Sequence, residues 1–314
     1  MIIKQLYKPI YKIPKINLFY RALTKTIILF FMIEKNLIFR NVFQQYLQTK
    51  ISINVDGIKL FLKDGNERLL LFIKTMFILE KDVIQWINSF NNDDIFYDIG
   101  AREGIFSIYS AKKNVETFSF EPHFSNLETL QYNILLNDVA NKITVVPNAL
   151  GSKTGITIFS LRDLTAGSAK NEIQHEKSIY NNQNSSSALD LRLTNTSIED
   201  SIKYNNLPIP TKVKIDVDGA EYLILLGFGS TLSKIDEIMI EMYEYTTDFE
   251  KCYKDYKYEY NLETEKMNKS YFIKDSNQTS KNPYFSEIDK LLKSYMFEKI
   301  SEYGNNILYK STKL

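Results

Sequence analysis

Asp94–Pro122, DIFYDIGAREGIFSIYSAKKNVETFSFEP, reads as strand, glycine turn, helix and second strand, with an acid where the second strand runs out. Ile95 to Tyr97 are a short apolar run ending at Asp98, the pattern of a strand buried in a parallel sheet. Gly100 and Gly104 bracket the turn, where a missing Cβ permits positive φ and a close ligand approach. Ile105, Phe106, Ile108, Tyr109 and Ala111 then recur at helical spacing. Val115 to Phe120, rich in β-branched and aromatic residues, forms the next strand and stops at Glu121-Pro122. Glu121 lies about 20 residues past the glycines, the separation at which the acid of a dinucleotide site meets the ribose hydroxyls. A carboxylate accepting from that diol contributes roughly 1.5–3 kcal/mol.

The turn argues against NAD. A pyrophosphate seated on a helix N-terminus calls for a three-glycine fingerprint. Here the pattern is Asp98-x-Gly100-x-x-x-Gly104, and the carboxylates of Asp98 and Glu103 flank it. They repel a pyrophosphate but favour the sulfonium and ammonium groups of S-adenosylmethionine, which carries no phosphate. A lone DxGxxxG is as often an ordinary βα turn; Glu121 tips the reading toward a cofactor pocket.

Three further segments fit the same architecture. Ile143 to Pro147 is a third strand leading into Asn148-Ala149-Leu150, where an adenine edge would be read. Val213 to Glu221, VKIDVDGAE, is a strand ending in carboxylates, and Ile235 to Met242 is a fifth strand carrying Glu241 at its end. In open α/β sheets ligands bind beyond the carboxyl ends of the strands, near the reversal of strand order, so these ends are expected to converge on one cleft.

YDIGAREG, FEP with Asn126 shortly after, NAL, KIDVDGAE and the late IxxE together resemble the FkbM-type S-adenosylmethionine-dependent methyltransferases, over roughly residues 57–241. The resemblance implies a class I methyltransferase fold: a Rossmann-like, seven-stranded, mostly parallel sheet with a C-terminal antiparallel hairpin. It also implies O-methylation, commonly of sugars or glycolipids. Asp98, Gly100, Ala101 and Gly104 match the first cofactor motif, Glu121 the ribose-binding acid, and Asp216 the residue ending the fourth strand near the transferred methyl. Arg102 stands where the family usually has Asn, and Asp218 where it usually has Glu. Arg102 either contacts the cofactor's carboxylate or points to solvent.

An alcohol must lose its proton during methyl transfer, and the chain has only two histidines, His123 and His175. A carboxylate is therefore the expected base: Asp216 first, then Glu241 and Glu221, the last also explained as a helix N-terminal acid. His123 is expected at a helix start or beside the adenine rather than as a catalyst. No metal is assigned, since carboxylate density alone speaks for one. The acceptor is expected to be a small molecule or glycan. The alternatives are a non-sugar small molecule or a non-catalytic scaffold that keeps the fold.

Composition sets the bounds. The chain has 314 residues, 44% of them hydrophobic, enough for a sizeable core. A formal net charge of +1 gives no reason to expect a nucleic-acid partner, and the single Cys252 fits a reducing cytoplasm. Residues 1–50 are a basic, largely helical extension, with Lys4, Lys8, Lys12, Lys15, Arg21 and Lys25 preceding the first acid, Glu34. Ile27 to Ile33 is too short to span a membrane, and no small-residue cleavage site follows it. The sharper reading of this segment is weak contact with the inner membrane surface. A solvated charged face is favoured, as for most basic runs. Residues 51–90 carry a hairpin around Asp56-Gly57 and a helical pattern from Glu67 to Phe90. The catalytic domain spans 91–314, interrupted by a Ser/Asn-rich insertion at 162–195, read as a loop, and by a Tyr/Lys-rich one at 245–283. Phe297 to Ser301 and Ile307 to Lys310 are expected to pair as the terminal hairpin.

Overall fold

The computed structural model describes residues 50–63, 80–161, 164, 172–173, 189–217, 219–242, 260–261, 266–267, 284–303 and 305–313. The readings made for the basic extension, for 67–79 of the helical stretch, for His175 and Asp218, and for most of both insertions lie outside the described residues.

Strands β1 (Lys50–Val55) and β2 (Ile58–Lys63) form an antiparallel hairpin with Val55 opposite Ile58. Asp56 and Gly57 both take positive φ, 46° and 86°, as a two-residue hairpin turn of this twist requires. Helix α1 (Lys81–Asn88) buries Val83, Ile84, Trp86 and Ile87. The Trp86 ring meets Phe90 and Phe96 edge-on, and its Nε1 donates to Glu237 at 2.7 Å, so the lone tryptophan is a core residue.

The next elements are β3 (Ile95–Ile99), α2 (Ile105–Lys112), β4 (Glu116–Phe120), α3 (Phe124–Leu136) and β5 (Ile143–Val146). Strands β6 (Ala149–Leu150), β7 (Gly155–Leu161), β8 (Glu172–Ile173) and β9 (Leu189–Thr196) make a second, smaller sheet. Next come α4 (Ile198–Asn205), β10 (Lys212–Ile215), α5 (Glu221–Phe228) and β11 (Glu237–Glu241). The two-residue strands β12 (Tyr260–Asn261) and β13 (Lys266–Met267) pair with each other. The described chain closes with α6 (Phe285–Ser294), β14 (Phe297–Tyr303) and β15 (Asn306–Ser311).

The main sheet has the order β14-β15-β11-β10-β3-β4-β5. Its β5, β4, β3, β10 and β11 are parallel, whereas β15 runs antiparallel to β11 and β14 antiparallel to β15. Chain order reverses between β3 and β10, which opens a crevice at their carboxyl ends. The terminal hairpin is as expected from Phe297 to Lys310. The 162–195 insertion is not all loop: Leu189, Leu191 and Leu193 alternate with polar residues, and β9 pairs with β7 from Leu161↔Leu189 to Gly155↔Asn195. Period-two alternation and pairing with β7 overrode a composition rich in Ser and Asn.

The two faces of the main sheet differ in kind. One buries Tyr97, Ile99, Phe118, Phe120, Val213, Ile215, Ile238 and Ile240 in a single apolar cluster. The other face carries Asp98 on β3, directly opposite Lys214 on β10, and Lys212 opposite Glu237 on β11.

Helix α3 fastens the hairpin to this frame through amide side chains. Asn137 accepts from Phe61 N (2.9 Å) and donates to Phe61 O (2.6 Å), while Asn133 accepts from Lys63 N (2.7 Å) and donates to Glu103 O (2.8 Å). Asn137→Ala is expected to cost about 1–3 kcal/mol by removing both bonds to Phe61. Urea unfolding measures the loss, and hydrogen exchange at the Phe61 amide locates it.

Candidate active site

The turn after β3 is laid across its neighbours by backbone bonds. Gly100 N and Ala101 N both donate to Phe120 O, at 2.9 and 3.1 Å, and Asp216 N donates to Ile99 O at 3.0 Å. Gly100 sits at φ +85°, and a Cβ there would lie 1.8 Å from the carbonyl oxygen of Asp216. Gly104, at φ +82°, would meet Leu130 Cδ1 at 2.1 Å. Both glycines take the positive φ expected of them; at Gly100 the close backbone of Asp216 also demands glycine, and at Gly104 the left-handed conformation does.

Asp98 is buried beneath this turn. Its Oδ2 accepts from Ser107 Oγ at 2.5 Å, and Ser107 in turn accepts from Ser119 at 2.7 Å. Its Oδ1 has no hydrogen-bond partner among the described residues. Burial raises its pKa, and the opposing pull of Lys214 and Ser107 does not cancel that rise.

Glu121 closes the other side of the turn. Only 4% of it is exposed; its Oε2 accepts from Arg102 N and its Oε1 from His123 N, both at 2.8 Å. Burial pushes its pKa up to about 7 against the hydrogen bonds from His123, Arg102 and Asn126. Arg102 reaches that bond from the left-handed region (φ 50°), and its Nε lies 3.6 Å from Glu103 Oε2. His123 caps α3, its Nδ1 accepting from Ser125 N and Asn126 N, so it starts a helix as expected.

A second group lies past β10 and β11. Two-residue spacing puts Lys214 and Asp216 on one face, and Lys214 Nζ donates to Asp216 Oδ2 at 2.6 Å. The Lys214 side chain is 2% exposed and its ammonium lies 5.1 Å from the centre of the Phe106 ring, whereas a quarter of the Asp216 side chain remains open. Burial alone would neutralise this lysine, yet Asp216, Asp98 and Glu80 hold it charged. Asp216 is likewise raised by burial, but Lys214 and a hydrogen bond from Glu241 outweigh that and keep it well below the usual carboxylate range. Glu241 moves the opposite way: burial and the neighbouring Asp216 carry it well above its ordinary value. Glu80, just ahead of α1, accepts from Asn306 Nδ2 at 3.0 Å, and burial pushes it up to about 7.

The structure thus brings Asp98, Gly100, Ala101, Gly104, Glu121, Asp216 and Glu241 around the carboxyl ends of four adjacent strands. Glu221 faces back along its own turn, Oε1 accepting from Gly219 N at 2.9 Å. Asn148 donates to Thr196 at 3.1 Å and Ala149 pairs with Asn195, so both tie the crevice to the smaller sheet. Lys214 and Glu80 were not singled out from sequence. The K-x-D spacing was the available signal for Lys214; Glu80 lies in a different part of the chain and left none. Among the described residues no group of three or more His, Cys, Asp and Glu side chains is placed to hold a metal ion, and no helix is long and apolar enough to cross a membrane.

A parallel sheet whose order reverses beside an acid-flanked glycine turn, finished by an antiparallel hairpin, defines a class I methyltransferase. The Methyltransferase FkbM domain matches residues 98–299, and the chain belongs to that family of S-adenosylmethionine-dependent enzymes. It is 27% identical over 168 residues to the hexuronic acid methyltransferase AglP of Haloferax volcanii, across 52% of this chain and 62% of that enzyme, so it spans less than two thirds of that relative. Among solved structures, methyltransferase FkbM from Methylobacillus flagellatus KT aligns at 16% identity and TM-score 0.41, over 76% of this chain and 47% of that one. The ribosomal protein L11 methylase of Lactobacillus delbrueckii subsp. bulgaricus aligns at 8% identity and TM-score 0.40, over 75% and 79%.

Glu121 makes the donor-free protein pH-sensitive. Its pKa rises from 4.5 to about 7 on folding, so the folded state holds a proton that the unfolded state releases. Stability is expected to fall as pH rises through that window, by on the order of 3 kcal/mol from this residue. Because burial pushes Glu80 up to about 7 as well, urea unfolding of wild type and Glu121→Gln at pH 5 and pH 8 isolates this share; a pH dependence of stability left unchanged by the substitution contradicts the assignment.

Proposed function

We propose that this chain transfers a methyl group from S-adenosylmethionine to a hydroxyl of a sugar, with hexuronic-acid-containing glycans as the acceptor class. When bound, the donor supplies a methyl carbon on a positively charged sulfur. The single observation that carries the reading is Asp98: a buried carboxylate beneath the glycine turn with one oxygen lacking a hydrogen-bond partner among the described residues. Such an atom costs stability unless a ligand satisfies it. Glu121 fits the ribose: its oxygens accept from the backbone of Arg102 and His123 and from the Asn126 side chain, and of about four lone-pair sites roughly one stays available for a ribose hydroxyl. The acid-rich surroundings suit a cationic donor and repel a phosphorylated one.

Asp216 is the proton acceptor in this reading. It ends β10 against the glycine turn, and part of its side chain is open to a substrate. Holding the hydroxyl in line can account for about 7–11 kcal/mol of the barrier, and a positioned base adds about 10²–10⁴-fold. The sugar acceptor rests on the family and on the likeness to a hexuronic acid methyltransferase. The remaining parts of the proposal are a cytoplasmic enzyme, a glycan or small-molecule acceptor, and no role for nucleic acid.

Incubation with methyl-labelled donor and separate glycan, lipid, protein and nucleic-acid fractions tests the acceptor, and label is expected in uronic-acid glycans. Label confined to protein or nucleic acid would falsify that class. Calorimetry tests the pocket: Glu121→Ala is expected to weaken donor binding at least about tenfold, as the loss of a charge-assisted bond implies.

A further inference from the structure

We propose that Lys214 and Glu241 are positioning residues that keep Asp216 ionised as the acceptor of the substrate's hydroxyl proton, with Glu241 carrying the one proton of a carboxylate pair. The inference deepens the methyl-transfer reading and rests on it for its chemistry, but the arrangement of protons is a property of the protein alone.

The geometry starts with Lys214. It lies on β10, between β3 and β11, with its side chain 2% exposed and its ammonium 2.6 Å from Asp216 Oδ2. An ammonium taken so far from water is tolerated only with charge partners, and Asp98 on β3 and Glu80 ahead of α1 act on it as well. Asp216 and Glu241 directly follow the paired residues Ile215 and Ile240 of neighbouring parallel strands, so their carboxyl groups lie side by side and share a hydrogen bond. Two carboxylates can share one only if one of them is protonated. Lys214 occupies Asp216 and stabilises its negative form. Glu80, itself flanked by Asp82, adds negative charge next to Glu241, and Arg102 adds positive charge next to Asp216. All of these place the proton on Glu241.

The consequence for methyl transfer is a base that is empty before the substrate arrives. Asp216 takes the hydroxyl proton while the acceptor oxygen forms its bond to the methyl carbon and the carbon–sulfur pair passes to sulfur. Glu241 keeps its proton throughout and donates to Asp216, so the pair gains one proton in the step. The proton leaves to water through the open quarter of Asp216. Lys214 supplies the fixed positive charge that this face of the site needs.

Infrared spectroscopy of the donor-free protein tests the pair directly. The carboxyl-acid band of Glu241 is expected at pH 7 in wild type and missing in Glu241→Gln; a band unchanged by that substitution, or no band in wild type, overturns the proposal. With labelled donor and a hexuronic acid glycoside, Glu241→Gln is expected to lower kcat about tenfold, against at least about a hundredfold for Asp216→Asn. Losses of equal size would make Glu241 the base and overturn the assignment. Lys214→Met is expected to move the acid limb of the kcat profile up by about one pH unit or more, with donor affinity within about threefold, and Lys214→Arg to leave the limb in place. An unmoved limb in a folded Lys214→Met protein overturns the role of the lysine, and the infrared result decides the pair should that variant fail to fold. Wild-type protein that binds no donor in calorimetry sinks the methyl-transfer reading instead, and the infrared bands still report on the pair.

Discussion

The contact between Gly100 and the Asp216 carbonyl is the constraint on which the site depends. The turn after β3 must pass so close to β10 that a single added carbon would overlap the Asp216 oxygen. That approach fixes the spacing between Asp98 and Glu121 on one side of the crevice and Asp216 and Glu241 on the other. Hydrogen bonds from Gly100 and Ala101 to Phe120, and from Asp216 to Ile99, hold the three strand ends in one arrangement. A methyl-transfer site gains most of its rate from such fixed spacing, because the donor's electrophilicity is intrinsic and alignment is what the protein contributes.

The charges on one face of the sheet come at a cost to the fold. Asp98, Glu80 and Glu121 are all raised by burial, and Lys214 stays charged only because acids surround it. Apolar residues of similar size would be neutral or more stabilising at such positions. The opposite face shows what this sheet does when stability alone decides, packing Tyr97, Phe118, Phe120, Val213 and Ile238 into one cluster. Destabilising groups concentrated at one strand-end crevice are the physical signature of a site kept for chemistry.

The legible parts of the sequence were those where local chemistry and tertiary demand agree. The β3–α2–β4 unit, the Asp56-Gly57 hairpin and the terminal β14–β15 pair follow from apolar runs bounded by obligatory turn residues. The strand β9 was hidden because its leucine alternation sits at the end of a Ser/Asn-rich stretch that reads as loop. Lys214 was hidden for a different reason: lysine in a strand ordinarily signals an exposed face, and only its three acidic neighbours, two of them far away in sequence, reverse that. Glu80 gains its meaning from Asn306, more than two hundred residues later, which no local pattern encodes.

The amides of Asn133 and Asn137 do for β2 what a further strand would otherwise do. Phe61 has both its N–H and its C=O engaged by Asn137 at the end of α3, and Lys63 its N–H by Asn133 within it. A hairpin margin left bare is a template on which another copy can add, chain by chain, toward fibrils. Here the rungs at Phe61 and Lys63 are already taken, and the charged side chains of Lys59 and Lys63 on the same strand add to the block, so self-association by strand addition is hindered along that margin.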